Sequence, residues 1–182
     1  MSKTLLVMAG GTGGHVFPGL AVADLLRSRD WKVVWMGAPD GMEAKLVPAR
    51  GYEMAWVRFA ALRGKGLLRK LLLPFHLFSA CWQARREIRR VSPDVVLGMG
   101  GYVSFPGGMM AALLGCPLLI HEQNSIAGLA NRVLARVADR VACGFPDVLP
   151  KGIWVGNPLR PEMTRLPPPI TRLADRQGPV RL

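Results

Sequence analysis

The sequence predicts an α/β fold with a parallel sheet covered by helices on both faces. Three observations carry that expectation. Short apolar runs alternate with helical stretches along the chain. The first run, Leu5-Leu6-Val7-Met8, is continuously apolar, as a strand covered on both sides must be. Two glycine-rich turns follow directly on such runs. Composition agrees: 182 residues, 50% apolar and 20% charged, suit one domain with a sizeable core and exclude a disordered or fibrous chain.

The expected strands are Thr4 to Ala9, Lys32 to Met36, Glu53 to Val57, Asp94 to Leu97, Pro117 to Ile120, Arg140 to Cys143 and Ile153 to Val155. The first leads into Gly10-Gly11-Thr12-Gly13-Gly14-His15, and Pro18 is expected to open the next helix at its first turn. Glycines there let backbone approach a ligand closely, and N–H groups at a helix start attract anions. Two better-known phosphate loops are excluded. There is no Lys-Ser/Thr pair for a P-loop, and counted from Gly11 the third glycine of G-x-G-x-x-G is replaced by Val16.

The second turn, Gly98-Met99-Gly100-Gly101-Tyr102, follows Val95-Val96-Leu97 and is expected to start a helix near Phe105 or Pro106. Two such turns at equivalent strand ends point to a ligand at the carboxyl edge of the sheet, where strand order reverses. Leu118-Leu119-Ile120 delivers His121-Glu122-Gln123-Asn124 to the same edge. Four polar side chains in a row are expected to bind a polar ligand rather than fill the core, with Asn124 or Ser125 capping the next helix as the alternative. The second histidine of H-E-x-x-H is absent, Ser125 standing in its place.

The formal net charge is +12, and it is unevenly placed. Between Arg58 and Arg90 nine basic residues stand against one acid, Glu87, which implies an anionic partner. Within that segment Leu68, Leu71, Leu72, Phe75, Phe78 and Trp82 follow a helical stripe expected to be core, while Leu67, Leu73 and Leu77 widen the apolar surface beyond it. The run is shorter than the roughly 20 residues of a spanning helix. Arg63, Lys65, Arg69 and Lys70 adjoin it, and each basic residue near an anionic leaflet adds about 1 kcal/mol of attraction. The segment is therefore expected to lie on a membrane surface. An ordinary core helix with solvated charge is the competing reading. Nucleic acid is disfavoured, because no aromatics interleave with the basic residues on a sheet.

Cys81, Cys116 and Cys143 are odd in number and set among apolar residues, so buried free thiols in a reducing compartment are expected. The N-terminus lacks the pattern of a signal peptide, which points to the cytoplasm. After Pro158 prolines crowd together, and Pro179-Val180-Arg181-Leu182 resembles the start of another strand, as if a further element followed.

These residues, with Gly156-Asn157-Pro158-Leu159-Arg160, closely resemble the N-terminal half of the MurG family over Thr4 to Leu182. That family comprises inverting transferases of the two-domain GT-B fold that move N-acetylglucosamine from UDP-GlcNAc to the C4 hydroxyl of lipid I, making lipid II for peptidoglycan. The resemblance implies a Rossmann-like acceptor domain over residues 1–160, then a linker and the start of a donor-binding domain over 161–182. It implies that Gly10, Gly11, Gly98, Gly100, Gly101, Tyr102, His121 and Gln123 face the acceptor diphosphate, and that Thr12, Gly13, Gly14, Asn124 and Arg160 reach the donor. His15 is the implied base or orienter of the attacking hydroxyl, and Glu122 is the competing carboxylate. No metal or cofactor is implied. The expected place is the cytoplasmic face of the bacterial inner membrane, as a peripheral protein. Weak or absent transfer is expected of the chain alone, and a non-catalytic lipid-diphosphate module or an acceptor subunit of a split transferase is the alternative.

Overall fold

The computed structural model describes residues 2–59, 67–168 and 170–171. Among these, seven strands form one sheet: β1 (Thr4–Ala9), β2 (Lys32–Gly37), β3 (Glu53–Trp56), β4 (Val95–Gly100), β5 (Leu118–Glu122), β6 (Arg140–Cys143) and β7 (Ile153–Trp154). The spatial order is β3-β2-β1-β4-β5-β6-β7, and every pairing is parallel. The chain steps outward from β1 to β3, then crosses back to lay β4 on the other side of β1. The reversal therefore falls between β1 and β4, whose carboxyl ends carry the two glycine turns.

Period-two alternation divides the core. Leu5, Val7, Val33, Trp35, Leu97 and Met99 pack on one face with Val16, Leu20 and Ala23 of α1 (Gly13–Arg27). Leu6, Met8, Val34, Met36, Val96 and Ile120 face the other side. There they meet α3 (Leu67–Val91), α4 (Ser104–Leu113) and α5 (Leu129–Leu134), through Ala84, Ile88, Ala111 and Leu134. Both faces are covered, which is why the strands read as continuous apolar runs. A short helix, α2 (Glu43–Leu46), and a 3₁₀ turn (Pro48–Arg50) join β2 to β3, and α6 (Pro161–Thr164) follows β7.

Several local expectations are corrected. The helix after β1 starts at Gly13 rather than at Pro18, because the Thr12 carbonyl already accepts the N–H groups of His15 and Val16 at 3.1 Å each. Pro18 then lies inside α1, and the Gly14 carbonyl loses its intrahelical donor. β4 runs on to Gly100 and β5 to Glu122, so both glycine-rich and polar positions are strand residues. α4 begins at Ser104, slightly before the expected Phe105.

The largest correction concerns α3. Leu72, Phe75, Phe78 and Trp82, expected in the core, are exposed, while Leu73 and Leu77 are half-buried in line with buried Ala80, Ala84 and Ile88. Small side chains at Ala80 and Ala84 let this helix approach its neighbours closely, which a stripe of Phe and Trp would prevent. Among the thiols, Cys143 is buried as expected, whereas Cys81 and Cys116 are only half-buried. No helix among the described residues is long and apolar enough to cross a membrane. The expected strand near Leu182 lies outside the described residues.

Candidate functional site

The two glycine turns meet backbone to backbone. Gly101 has φ +86°, and a Cβ there would lie 2.2 Å from the carbonyl oxygen of Gly10. Gly100 has φ +101°, and its Cβ would lie 2.9 Å from the His15 ring. These two positions combine a left-handed backbone with no room for a side chain, so glycine is required at both. Gly11 packs beside the Tyr102 ring. Gly98 instead sits within β4 between Ile120 and Met8, where its role is strand packing.

Two buried groups hold the turns in place, and neither was singled out from sequence. Glu43 is fully buried; its Oε2 accepts the Gly11 N–H at 3.1 Å and its Oε1 the Ala38 N–H at 3.0 Å. A Cβ on Gly10, Gly37 or Gly41 would collide with the Glu43 side chain at 2.3–2.6 Å. The Ser104 hydroxyl lies 2.9 Å from the Met8 carbonyl and 2.7 Å from that of Gly100, tying the ends of β1 and β4 together. The nearest sequence signal for Glu43 was Gly41 just before it, which alone says nothing about partners in other loops.

The His121 to Gln123 run is buried, against expectation. The physical reason is that its polar atoms find partners inside the protein. His121 Nε2 is 2.9 Å from the Gly156 carbonyl oxygen, and its Nδ1 is 2.9 Å from Gln123 Nε2. Gln123 Nε2 also donates to the His121 carbonyl at 2.8 Å, while Gln123 Oε1 lies 2.9 Å from His15 Nδ1. Burial pushes the His121 imidazole below its ordinary range, so it is held neutral.

Glu122 accepts four N–H groups: Oε1 from the Asn124 backbone and side chain at 3.0 and 2.9 Å, Oε2 from the Gly128 backbone and Asn131 Nδ2 at 3.1 and 2.9 Å. Burial alone would raise this carboxyl; the donors outweigh it and hold the group below its usual value. Glu122 thereby secures the Gly128 N–H at the start of α5, the role expected of Asn124 or Ser125.

Beside these groups lies an apolar cavity of about 540 Å³, lined by His15, Phe59, Leu73, Leu77, Tyr102 and Phe105 among others. Asn131 also lines it; the residue is 1% exposed, and its Oδ1 has no hydrogen-bond partner among the described residues. Arg160 lies over the Phe17 ring of α1 at 4.7 Å. The Gly13 position is itself in contact with Phe17.

Thus His15, Gly100, Gly101, Tyr102 and Glu122 come together around one cavity, with Gly10 and Gly11 in contact with Gly101 and Tyr102. Leu73 and Leu77 join them there rather than pointing outward. Arg63 and Lys65 lie outside the described residues; Leu67, Arg69 and Lys70 belong to the first turn of α3, whose side-chain placement is likewise outside them.

The Glycosyltransferase family 28 N-terminal domain matches residues 5–143. A protein of Dechloromonas aromatica named UDP-N-acetylglucosamine--N-acetylmuramyl-(pentapeptide) pyrophosphoryl-undecaprenol N-acetylglucosamine transferase is 65% identical over 182 residues, covering 100% of this chain and 52% of the relative. One of the same name from Aromatoleum aromaticum is 69% identical over 180 residues, with 99% and 50% covered. The crystal structure of Acinetobacter baumannii MurG superposes with a TM-score of 0.77 at 42% identity, covering 87% of this chain and 46% of that one. The chain spans about half the length of the curated relatives it matches. With the two glycine turns, the reversal of strand order and this match over most of its length, the chain belongs to glycosyltransferase family 28, whose N-terminal domain it carries.

Proposed function

We propose that the chain is the acceptor-binding half of an inverting transferase that moves N-acetylglucosamine from UDP-N-acetylglucosamine to the C4 hydroxyl of lipid I, forming lipid II for peptidoglycan. The observation that carries this reading is the junction of Gly10, Gly11, Gly100 and Gly101 beside an apolar cavity. Bare backbone at the start of a 15-residue helix suits a diphosphate. The adjacent cavity suits hydrocarbon. A lipid diphosphate has both ends.

In this reading the acceptor hydroxyl oxygen attacks C1 of the donor sugar from the face opposite the nucleotide. The C1–O bond to the diphosphate breaks, UDP leaves, and the hydroxyl proton passes to His15. Glu122 is the weaker base, since each of its oxygens already accepts two N–H groups. Thr12, Gly13, Gly14 and Asn124 are the residues that would reach the nucleotide sugar, and Arg160 supplies a cation over Phe17 of α1. Most donor contacts belong to the other half of the relatives' length, so weak or absent transfer is expected of this chain alone.

The exposed Leu72, Phe75, Phe78 and Trp82, flanked by exposed Arg85, Arg86 and Arg89, form the surface that would rest on the anionic cytoplasmic leaflet. Apolar anchors and basic residues on one helix support peripheral binding.

The test is equilibrium binding of a short-chain polyprenyl-diphosphate N-acetylmuramyl acceptor to the chain. Binding is expected, weakened at least about tenfold by Leu77→Glu in the cavity, which is about 1.4 kcal/mol. A folded chain that binds no such acceptor would overturn the reading.

A further inference from the structure

The hydrogen-bond chain Gly156, His121, Gln123, His15 has only one self-consistent arrangement of protons. The Gly156 carbonyl can only accept, so His121 Nε2 must carry hydrogen. The Gln123 side-chain nitrogen lies 2.8 Å from the His121 carbonyl oxygen; turning the amide over would set two acceptors against each other at that distance. That carbonyl therefore fixes which end of Gln123 is nitrogen. The same nitrogen donates to His121 Nδ1, which must then be the lone-pair atom of a neutral ring. At the far end, Gln123 Oε1 can only accept, and its neighbour 2.9 Å away is His15 Nδ1. His15 Nδ1 must therefore bear hydrogen.

We propose that Gln123 and His121 are positioning residues that lock His15 in the Nδ1–H tautomer, leaving Nε2 as the lone-pair atom available to a hydroxyl in the cavity. This takes the place of the direct diphosphate contact implied for both residues by the family resemblance, since every polar side-chain atom of the pair is already occupied within the protein. It rests on reading His15 as the proton acceptor of the transfer. Without the chain, an imidazole favours the opposite Nε2–H form, which has no lone pair on Nε2 for a hydroxyl proton. The Asn157 side chain, donating to the Gln123 carbonyl at 3.1 Å, braces the same link. The segment after β7 thus takes part in setting the base, through the Gly156 carbonyl at one end and Asn157 at the other.

The experiment is long-range nitrogen–proton correlation NMR on the uniformly ¹⁵N-labelled chain, above the ordinary imidazole range of about 6.5. The chain has 3 histidines, so single substitutions assign the signals. His15 should show a protonated Nδ1 and a bare Nε2, and His121 the reverse. Gln123→Leu should drop the Nδ1–H form of His15 from dominant to minor. A His15 that is mainly Nε2–H in the unsubstituted chain overturns the proposal, and this holds even if no variant folds. An unchanged His15 tautomer in folded Gln123→Leu overturns it as well. The readout needs no acceptor, so failed acceptor binding refutes the proposed function and leaves this result standing.

Discussion

The glycine turns and the His121 to Gln123 strand end lie side by side at the carboxyl edge of the sheet and use opposite means. At Gly10 and Gly101 side chains are missing, so backbone from one turn touches backbone from the other, and Gly100 lets the His15 ring pack on bare backbone. At His121, Glu122 and Gln123 side chains are present, buried and hydrogen-bonded. The turns leave surface for a ligand. The strand end builds the frame that holds His15 and the start of α5 against it. In the proposed reading, residues that look equally functional in sequence divide into those that offer a contact and those that hold one in place.

The first way to break this comparison is at the frame. Glu122→Ala removes the acceptor for four buried or half-buried N–H groups, with a loss of about 4 kcal/mol expected at about 1–3 kcal/mol per unsatisfied group. Chemical denaturation measures it, and Glu122→Gln, which keeps one acceptor oxygen, should lose less. At the turns, Gly101→Ala meets both a left-handed φ and the Gly10 carbonyl, so about 3 kcal/mol is expected, read as a Tm drop of about 6–12 °C. A Tm within 2 °C of the unsubstituted chain would mean that the turns do not touch as described, since about 2–4 °C corresponds to only 1 kcal/mol.

A third prediction concerns acid. His121 titrates lower in the folded than in the unfolded chain, so the unfolded state takes up the proton first and stability begins to fall below about 6.5. Glu122 is also depressed; its stabilisation is full above the unfolded value near 4.3 and is lost as pH falls through the folded value. Unfolding curves over this range should show two successive losses, and His121→Asn should remove the earlier one. The smallest effect on stability is expected at the outer face of α3. Phe75→Glu with Phe78→Glu alters side chains that are 72% and 75% exposed, so stability should change by less than about 0.5 kcal/mol. Sedimentation with anionic vesicles should fall sharply all the same.

Much of the fold was legible because it rests on local pattern. Leu5 to Met8 reads as a strand covered on both sides, and the two halves of that alternation do belong to two cores. The turns were legible because glycine after a strand has few other uses. What was not legible depends on partners far along the chain. Gln123 meets His15 across 108 positions and His121 meets Gly156 across 35, so nothing nearby marks these polar residues as interior. Glu43 joins loops after β1 and β2 and has no local signature. α3 carries two apolar stripes, and periodicity cannot say which turns inward; the choice falls to the small residues Ala80 and Ala84.

The central claim, that the two turns and the cavity lined by His15 and by residues of α3, α4 and α5 hold a lipid diphosphate, is tested most directly by amide NMR during titration with a short-chain polyprenyl-diphosphate sugar. The account predicts that the largest shifts fall on Gly11, Gly13, Gly100, Gly101 and Tyr102, with the cavity-lining Leu73 and Leu77 following. Shifts confined to other surfaces, or none in a folded chain, would contradict it.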